Sequence, residues 1–476
     1  MKITRKNFIA LAAGTVAGCT LPPRNGCSRR WYKGMLHAHT CWSDGYALPE
    51  QAVAVYKNSG YDFFSITDHN RIGADPDRWI GVAPLDGRWP PKTVEPSVFD
   101  AFKSAFPDAK WRMRNGKPEV RMSTMAEIAA RFNEPGKFLF MPGCEITTYV
   151  VGADGMRCDL HMNCVGLDEV IPRYRNASLV QVVRGKTKPE VMREAKDQVD
   201  ALAKAKGNAP HVFFVNHPHW RYYDVLPEDV LANPDVRFFE VCNNASTWTV
   251  DDPMPRDGFN IDRFWDAVNA SRCLRGEPLL YGIATEDTHF YPESGTSHKP
   301  IIFGDAWIGV RSGALTQNAL FAAMERGDFY AACGVDIEDI AFDRATGTLS
   351  VAVPAKPGVA YKVRFITTKR GVKVDPVKTV EIPAKGGKET ARRVPVYSDG
   401  VGAVAKTVTF GKGEPARASY RLADDDLYVR ARVESDEATT YPNVKDRMHP
   451  LVKVAWTQPY CRMEPSSFDA AGFMQV

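Results

Sequence analysis

The residues with the clearest chemical potential open at His37-Ala38-His39, with Asp44 five positions beyond the second histidine. In an extended strand, residues i and i+2 point to the same side, so His37 and His39 would offer two imidazoles to one point. Neutral imidazoles meeting at one point suit a transition metal. Further candidates close later apolar runs. His69 follows Phe63-Phe64-Ser65-Ile66, and Glu145 follows Phe138-Leu139-Phe140-Met141. His161 lies within Asp159-Leu160-His161-Met162-Asn163, and His217 and His219 follow Val212-Phe213-Phe214-Val215. Asp287 and His289 follow the apolar run 279–284. A single histidine in such a place is more often a core or surface residue than a ligand. Seven of the chain's ten, interleaved with three carboxylates, point to a metal site. Nitrogen and oxygen ligands without thiolate fit zinc, manganese or iron and do not choose among them.

These residues need elements that bring them together. Helices are expected over 49–57, where proline occupies the first turn, over a segment starting at Ser123-Thr124, and over 188–206, 261–273 and 316–326. Gly207 stands where a C-terminal cap belongs. Near-continuously apolar strands alternating with helices argue for a parallel sheet covered by helices. About seven such strands favour an α/β fold of the distorted (β/α)7 barrel type, whose chemistry sits at the strand C-terminal ends. Residues 71–121, rich in proline, tryptophan and charge, read as a long excursion. Beyond about 340 the pattern becomes period two, as in Tyr361, Val363 and Phe365 or Val429, Ala431 and Val433, which predicts a smaller antiparallel β-sandwich. The expected division is an export signal (1–18), a tether (19–30), a barrel (31–340) and a sandwich-like domain (341–476).

The remaining features bound the class. The chain has 476 residues, 44% apolar and 25% charged, with a net charge of +4. That balance is ordinary for a globular protein, and without a basic stripe no nucleic-acid partner is expected. Its ten cysteines include no Cys-x-x-Cys pair. Lys2, Arg5 and Lys6 precede an apolar run over 8–17. Val16-Ala17-Gly18-Cys19 resembles a bacterial lipobox, which implies lipidation of Cys19 and a periplasmic or cell-surface location. A plain cleaved secretory signal is the alternative. Membrane contact is expected only through the lipid, and the oligomeric state is left open.

Taken in order, the motifs resemble the polymerase and histidinol phosphatase (PHP) superfamily, and within it the CehA/McbA-like metallohydrolases. The matching pieces are His37-x-His39 with Ser43-Asp44-Gly45, Thr67-Asp68-His69-Asn70, Pro142-Gly143-x-Glu145 and His161. They continue with Asn216-His217-Pro218, Glu240-Val241-x-Asn243 and Asp287-x-His289. The resemblance implies a distorted seven-stranded barrel holding two or three divalent ions. His37, His39, Glu145 and Asp287 would hold one. Glu145 would bridge to a second, held with His161 and His217, and Asp44, His69 and His289 would hold a third. His219 is a candidate general acid or additional ligand. Asp68 is a second catalytic candidate, in the role of orienting a ligand beside Asn70. Arg71 and Lys299 are candidate anion clamps, and Glu240 and Asn243 candidate pocket residues. Glu286 departs from the family, which carries a small residue there. The implied activity is hydrolysis of a small-molecule ester by a water activated at the metals, phosphoric esters first. Carboxylic or carbamic esters are the alternative, and a non-catalytic ligand-binding surface lipoprotein is a reading of another class.

Overall fold

The computed structural model describes residues 29–153, 155, 157–175, 178–218, 224–244, 260–297, 303–382, 392–439 and 452–462. The expected export signal, most of the tether, Cys19, His219 and Lys299 lie outside the described residues. Among those described, no helix is long and apolar enough to cross a membrane.

The first strands of the main sheet are β1 (Arg30–Met35), β2 (Phe63–Ile66), β3 (Leu139–Val151), β4 (Arg157–Val165), β5 (Val212–Val215), β6 (Phe238–Asn243) and β7 (Tyr281–Thr285). They are followed by β8 (Ala306–Ser312), β9 (Phe329–Cys333), β10 (Tyr361–Thr367), β11 (Ala403–Phe410), β12 (Arg430–Ala438) and β13 (Val452–Thr457). The helices are α1 (Pro49–Asn58), α2 (Pro96–Ala105), α3 (Met125–Phe132), α4 (Lys188–Ala205), α5 (Pro227–Leu231), α6 (Ile261–Arg275) and α7 (Gln317–Glu325). Local chemistry sets several of their ends. Thr124 with Glu127, and Thr187 with Glu190, form reciprocal caps at the starts of α3 and α4. Gly276 ends α6 in the left-handed conformation, at φ 68°.

The fold is mixed α/β, built on one 14-stranded sheet. Its strands run in the order β7-β6-β5-β4-β3-β2-β1-β8-β9-β13-β12-β10-β11, and Gln181–Arg184 pairs beside β3. The expected barrel is not what this ladder draws. β1, β2 and β3 are parallel, as are β5, β6 and β7, but β4 runs antiparallel to both of its neighbours. The path also ends at β7 instead of returning to β1. On β7 the Gln458 side chain takes the place of a neighbouring strand. Gly282 N–H donates to its Oε1 (2.8 Å), and its Nε2 donates to Gly282 O (2.9 Å). Past the strand ends the two limbs are joined by a hydrogen bond, in which His39 N–H donates to Thr288 O (2.8 Å).

The β3–β4 hairpin has a local cause. Pro142-Gly143 reads as a strand stop, yet β3 continues through the β-branched stretch Ile146-Thr147-Thr148. Gly143 is a close-passage site, because a Cβ there would lie 2.6 Å from Ser65 Oγ and 2.8 Å from Thr67 Cγ2. The segment after 340 likewise extends the same sheet, through β9 paired with β13, and adds a three-stranded sheet over a shared apolar layer. This differs from the separate sandwich expected.

Helix α6 is buried on nearly every side between the site-bearing sheet and the C-terminal strands. Its two acids are locked from across the fold. Arg430, fully buried, pairs with Asp266 (Nε to Oδ1, 2.8 Å; Nη2 to Oδ2, 2.6 Å) and with Asp262 (2.9 Å). Arg432 donates to Asp262 at 2.9 Å, and Tyr428 OH donates to Asp266 at 2.7 Å.

Candidate metal centre

The strand ends deliver their polar residues to one buried point. Beyond β1, the segment 40–45 turns tightly. Gly45 N–H donates to Thr40 O (2.9 Å), and a Cβ on Gly45 would lie 2.4 Å from His39 O. Asp68 organises this turn from the end of β2. Its Oδ1 accepts from Thr40 N–H (2.8 Å) and Ser43 Oγ (2.5 Å), and its Oδ2 accepts from Thr40 Oγ1 (2.7 Å). Burial raises its pKa to about 6, against the pull of those hydrogen bonds. Asp68 therefore positions the loop that carries Asp44.

Asn70 then ties β2 to β3. At φ 48° it adopts the left-handed conformation that asparagine tolerates. Its N–H donates to Glu145 O (2.7 Å), and its amide exchanges hydrogen bonds with the Thr147 backbone (3.0 and 2.9 Å). This sets His69 beside Glu145.

Five imidazoles of the cluster have Nδ1 engaged by the protein, His39 through Ser43 Oγ at 3.4 Å. His37 Nδ1 donates to Glu240 Oε1 (2.6 Å), His69 Nδ1 lies 2.6 Å from Thr147 Oγ1, His161 Nδ1 lies 3.1 Å from Glu145 Oε1, and His289 Nδ1 donates to Asp287 O (2.8 Å). A partner on one ring nitrogen fixes the orientation of the other. Three overlapping groups result, each with ligand atoms within 4.8 Å of one another: His39, Asp44, His69 and His289; His37, His39 and Asp287; and His69, Glu145 and His161. His217 Nε2 stands 3.7 Å from Glu145 Oε1. All nine expected ligand residues thus converge. The grouping differs from the one implied by resemblance: His39 and His69 each serve two groups, Glu145 is not in the group of His37, His39 and Asp287, and His217 is in none of the three.

The carboxylates test whether a cation fits. Glu145 Oε2 lies 2.5 Å from His69 Nδ1 and 3.5 Å from His39 Nε2, yet no donor is aligned on it. Asp287 Oδ1 lies 2.9 Å from His39 Nε2 and 3.3 Å from His37 Nε2, also with no aligned donor. His161 Nε2 is buried and unpartnered too. Burying such atoms unsatisfied is costly, and bound divalent cations would satisfy them, Asp287 in the group with His37 and His39, and Glu145 with His161 in another. Burial alone would raise the pKa of Glu145 and Asp287. The surrounding imidazoles outweigh it and hold both carboxyls well below the usual range. His39 is lowered too, to about 4, through burial and then the neighbouring His289 and His69. A neutral imidazole is the form that binds metal.

Backbone strain gathers at the same place. His217 (φ 21°) and Asp287 (φ 50°) occupy the left-handed region without being glycine, at a cost of about 1–3 kcal/mol each. Glu240 holds both in place. Its carboxylate also accepts from Thr285 Oγ1 (2.6 Å), His217 N–H (2.7 Å) and Asn243 Nδ2 (2.8 Å), and the same Asn243 amide reaches Asp287 Oδ2 at 3.4 Å.

Several expected roles change. Glu240 and Asn243 are fully buried brackets and do not line a pocket, because both Glu240 oxygens are taken. Glu286 faces away from the cluster, accepting from Tyr56 OH (2.7 Å) and the N–H groups of Asp305 and Ala306 (2.8 and 3.2 Å). Burial pushes its pKa up to about 7. Arg71 is half-buried beside the Asp68 turn; burial, then Arg78, lowers its pKa, against Asp68. Sequence reading missed Trp89, whose indole N–H donates to Asp44 Oδ2 (3.0 Å) from the non-periodic excursion. It also gave no role to Thr147 or Thr285.

No protein-family model matches the chain, and no curated protein matches it. Solved structures do align, each at 14% identity. A two-domain protein from Bacteroides vulgatus containing a predicted PHP-like metal-dependent phosphoesterase aligns over 87% of this chain and 95% of its own, at a TM-score of 0.35. A Bifidobacterium adolescentis protein to which metal-dependent phosphoesterase activity is ascribed aligns over 57% and 90%, at 0.27. An amidohydrolase from Chromobacterium violaceum, with bound sulfate and no metal, aligns over 57% and 92%, also at 0.27. The chemistry is therefore read from the side chains of the cluster.

Proposed function

We propose that the protein is a metal-dependent hydrolase of small-molecule phosphoric esters. The observation that carries this is the pair of buried carboxylate oxygens, Glu145 Oε2 and Asp287 Oδ1, set among imidazole nitrogens with no hydrogen-bond donor aligned on either. His37, His39 and Asp287 would hold one divalent ion. Glu145, His161 and His217 would hold a second, and Asp44, His69 and His289 a third, with Glu145 as the bridge. Zinc, manganese and iron all suit this donor set. Such ions supply Lewis acidity and bring the pKa of water toward neutrality. The chain's own groups prepare for that chemistry. Glu240 fixes the His37 ring, Asp68 fixes the turn bearing Asp44, and Asn70 sets His69 against Glu145. Several cationic positions side by side suit a phosphoryl group, whose charged oxygens they neutralise.

The CehA/McbA-like branch of the PHP superfamily is the narrower assignment, and it brings carboxylic and carbamic esters into competition as substrates. The test is elemental analysis of the purified protein with an ester panel, before and after chelation and reloading. Aryl phosphate turnover that disappears on chelation and returns with metal supports the reading. Undiminished turnover in the stripped protein refutes it, and turnover of carbamic or carboxylic esters alone moves the assignment to them. We also propose export with lipid attachment at Cys19, supported by the basic start, the apolar run and the lipobox-like tetrapeptide. Incorporation of a labelled fatty acid by the wild type but not by Cys19→Ala is the expected outcome.

A further inference from the structure

The opening of the cluster lies on the side of His289 and His161, whose side chains are 23% and 13% exposed, while those of His37 and His39 are sealed. Trp89 stands at this side. It is 57% exposed, and its indole N–H reaches Asp44 Oδ2 at 3.0 Å, the same oxygen that lies 3.2 Å from His289 Nε2. An indole pinned by its N–H edge keeps its orientation and leaves ring faces for other contacts.

The loop that carries it is tethered at both ends. Ala83 N–H donates to Val94 O (3.0 Å), and Glu95 accepts from Thr296 Oγ1 (3.0 Å) and Ser297 Oγ (2.5 Å), on the segment that follows His289. A second aromatic pair flanks the same mouth. Tyr46 and Phe290 stack at 4.5 Å, and Tyr46 N–H donates to His289 O (2.9 Å). The hydrogen bond places the Trp89 ring next to a carboxylate of the cluster. A ring there lies beside the position that a group on the reacting bond would take.

We propose that Trp89 is a specificity-determining residue: its indole face forms a wall of the mouth and holds a planar aromatic group on the scissile ester, so that aryl esters are preferred over alkyl esters. This rests on the hydrolysis proposed for the site. Its first test compares metal-loaded wild type, Trp89→Phe and Trp89→Ala on an aryl phosphate and an alkyl phosphate. Trp89→Ala should raise KM for the aryl substrate about fivefold to tenfold relative to the alkyl substrate, the scale of one aromatic stack, while loss of the hydrogen bond to Asp44 bears on both substrates alike. Trp89→Phe keeps a ring and loses the N–H that orients it, and its aryl preference should fall between those of wild type and Trp89→Ala. Equal losses on both substrates, Phe and Ala variants equally impaired, or no change at all would overturn the wall.

If the wild type hydrolyses neither phosphate, the hydrolase reading fails, and the wall is judged by calorimetric binding of phenylphosphonate against methylphosphonate. A wild-type preference for the phenyl compound that Trp89→Ala loses supports it. Equal binding of the two overturns it.

Discussion

Replacing Glu240 with glutamine tests whether the cluster is built to present imidazole lone pairs. The swap keeps shape and removes one acceptor oxygen. In the wild type, Oε1 accepts from His37 Nδ1 and Thr285 Oγ1, and Oε2 accepts from His217 N–H and Asn243 Nδ2. All four groups are donors, so the new NH2 must face two of them. The His217 N–H cannot become an acceptor, whereas a hydroxyl and an imidazole can. The amide therefore settles with NH2 toward Thr285 and His37. His37 then accepts at Nδ1 and carries its proton on Nε2, the atom that faces Asp287 and Glu145. A protonated Nε2 cannot ligate. The expected loss of metal affinity is tenfold to hundredfold, as for other supporting partners of a ligating histidine, or about 1.4–2.7 kcal/mol. Folding stability should fall by about 1–3 kcal/mol, because one charged acceptor is gone from a sealed site. Competition with a chelator at neutral pH reads the affinity, and urea denaturation of the stripped protein reads the stability. Wild-type affinity and stoichiometry in Glu240→Gln would show that the His37–Glu240 contact does not set the ring, and the ligand scheme would have to be redrawn.

Away from the site, Arg430→Met leaves Asp262 and Asp266 buried without their shared partner and should cost about 3–5 kcal/mol in urea unfolding; a change under about 1 kcal/mol would show that Arg432 and Tyr428 suffice. The pH dependence follows from Asp262, whose pKa is raised by burial but brought down overall by Arg430 and Arg432. A depressed folded pKa gives stability that is present above the unfolded value near about 3.9 and lost as pH falls through the folded value, so Asp262→Asn should flatten the acid limb of the stability curve. An unchanged slope below about pH 4 would assign that limb to other carboxyls. Gly143→Ala should cost about 1–3 kcal/mol in thermal unfolding, because its Cβ would strike Ser65 and Thr67, and an unaltered melting temperature would mean that β2 yields there freely.

Most candidate ligands could be read from sequence because they lie in or just beyond apolar runs, and such a run has to be a buried strand whatever its direction. Direction is what the runs do not encode. β4, which carries His161, returns antiparallel along β3, and the ladder ends open at β7. Glu240 shows a second limit. An acid inside Phe238-Phe239-Glu240-Val241 looks the same whether it binds metal, touches substrate or holds its neighbours. Only the four donors around it decide, and two of them come from segments 203 and 45 residues away. The same holds for α6, where nothing in the sequence marks Asp262 and Asp266 as buried. Their partners arrive more than 160 residues later, in strands whose alternating pattern gives no sign that Arg430 faces inward. Short-range chemistry therefore announces which atoms can ligate. How firmly they are held is set by buried acids whose partners are distant in sequence, and a substitution at Glu240 tests the site more sharply than removal of a ligand, since loss of any ligand weakens metal binding under every scheme.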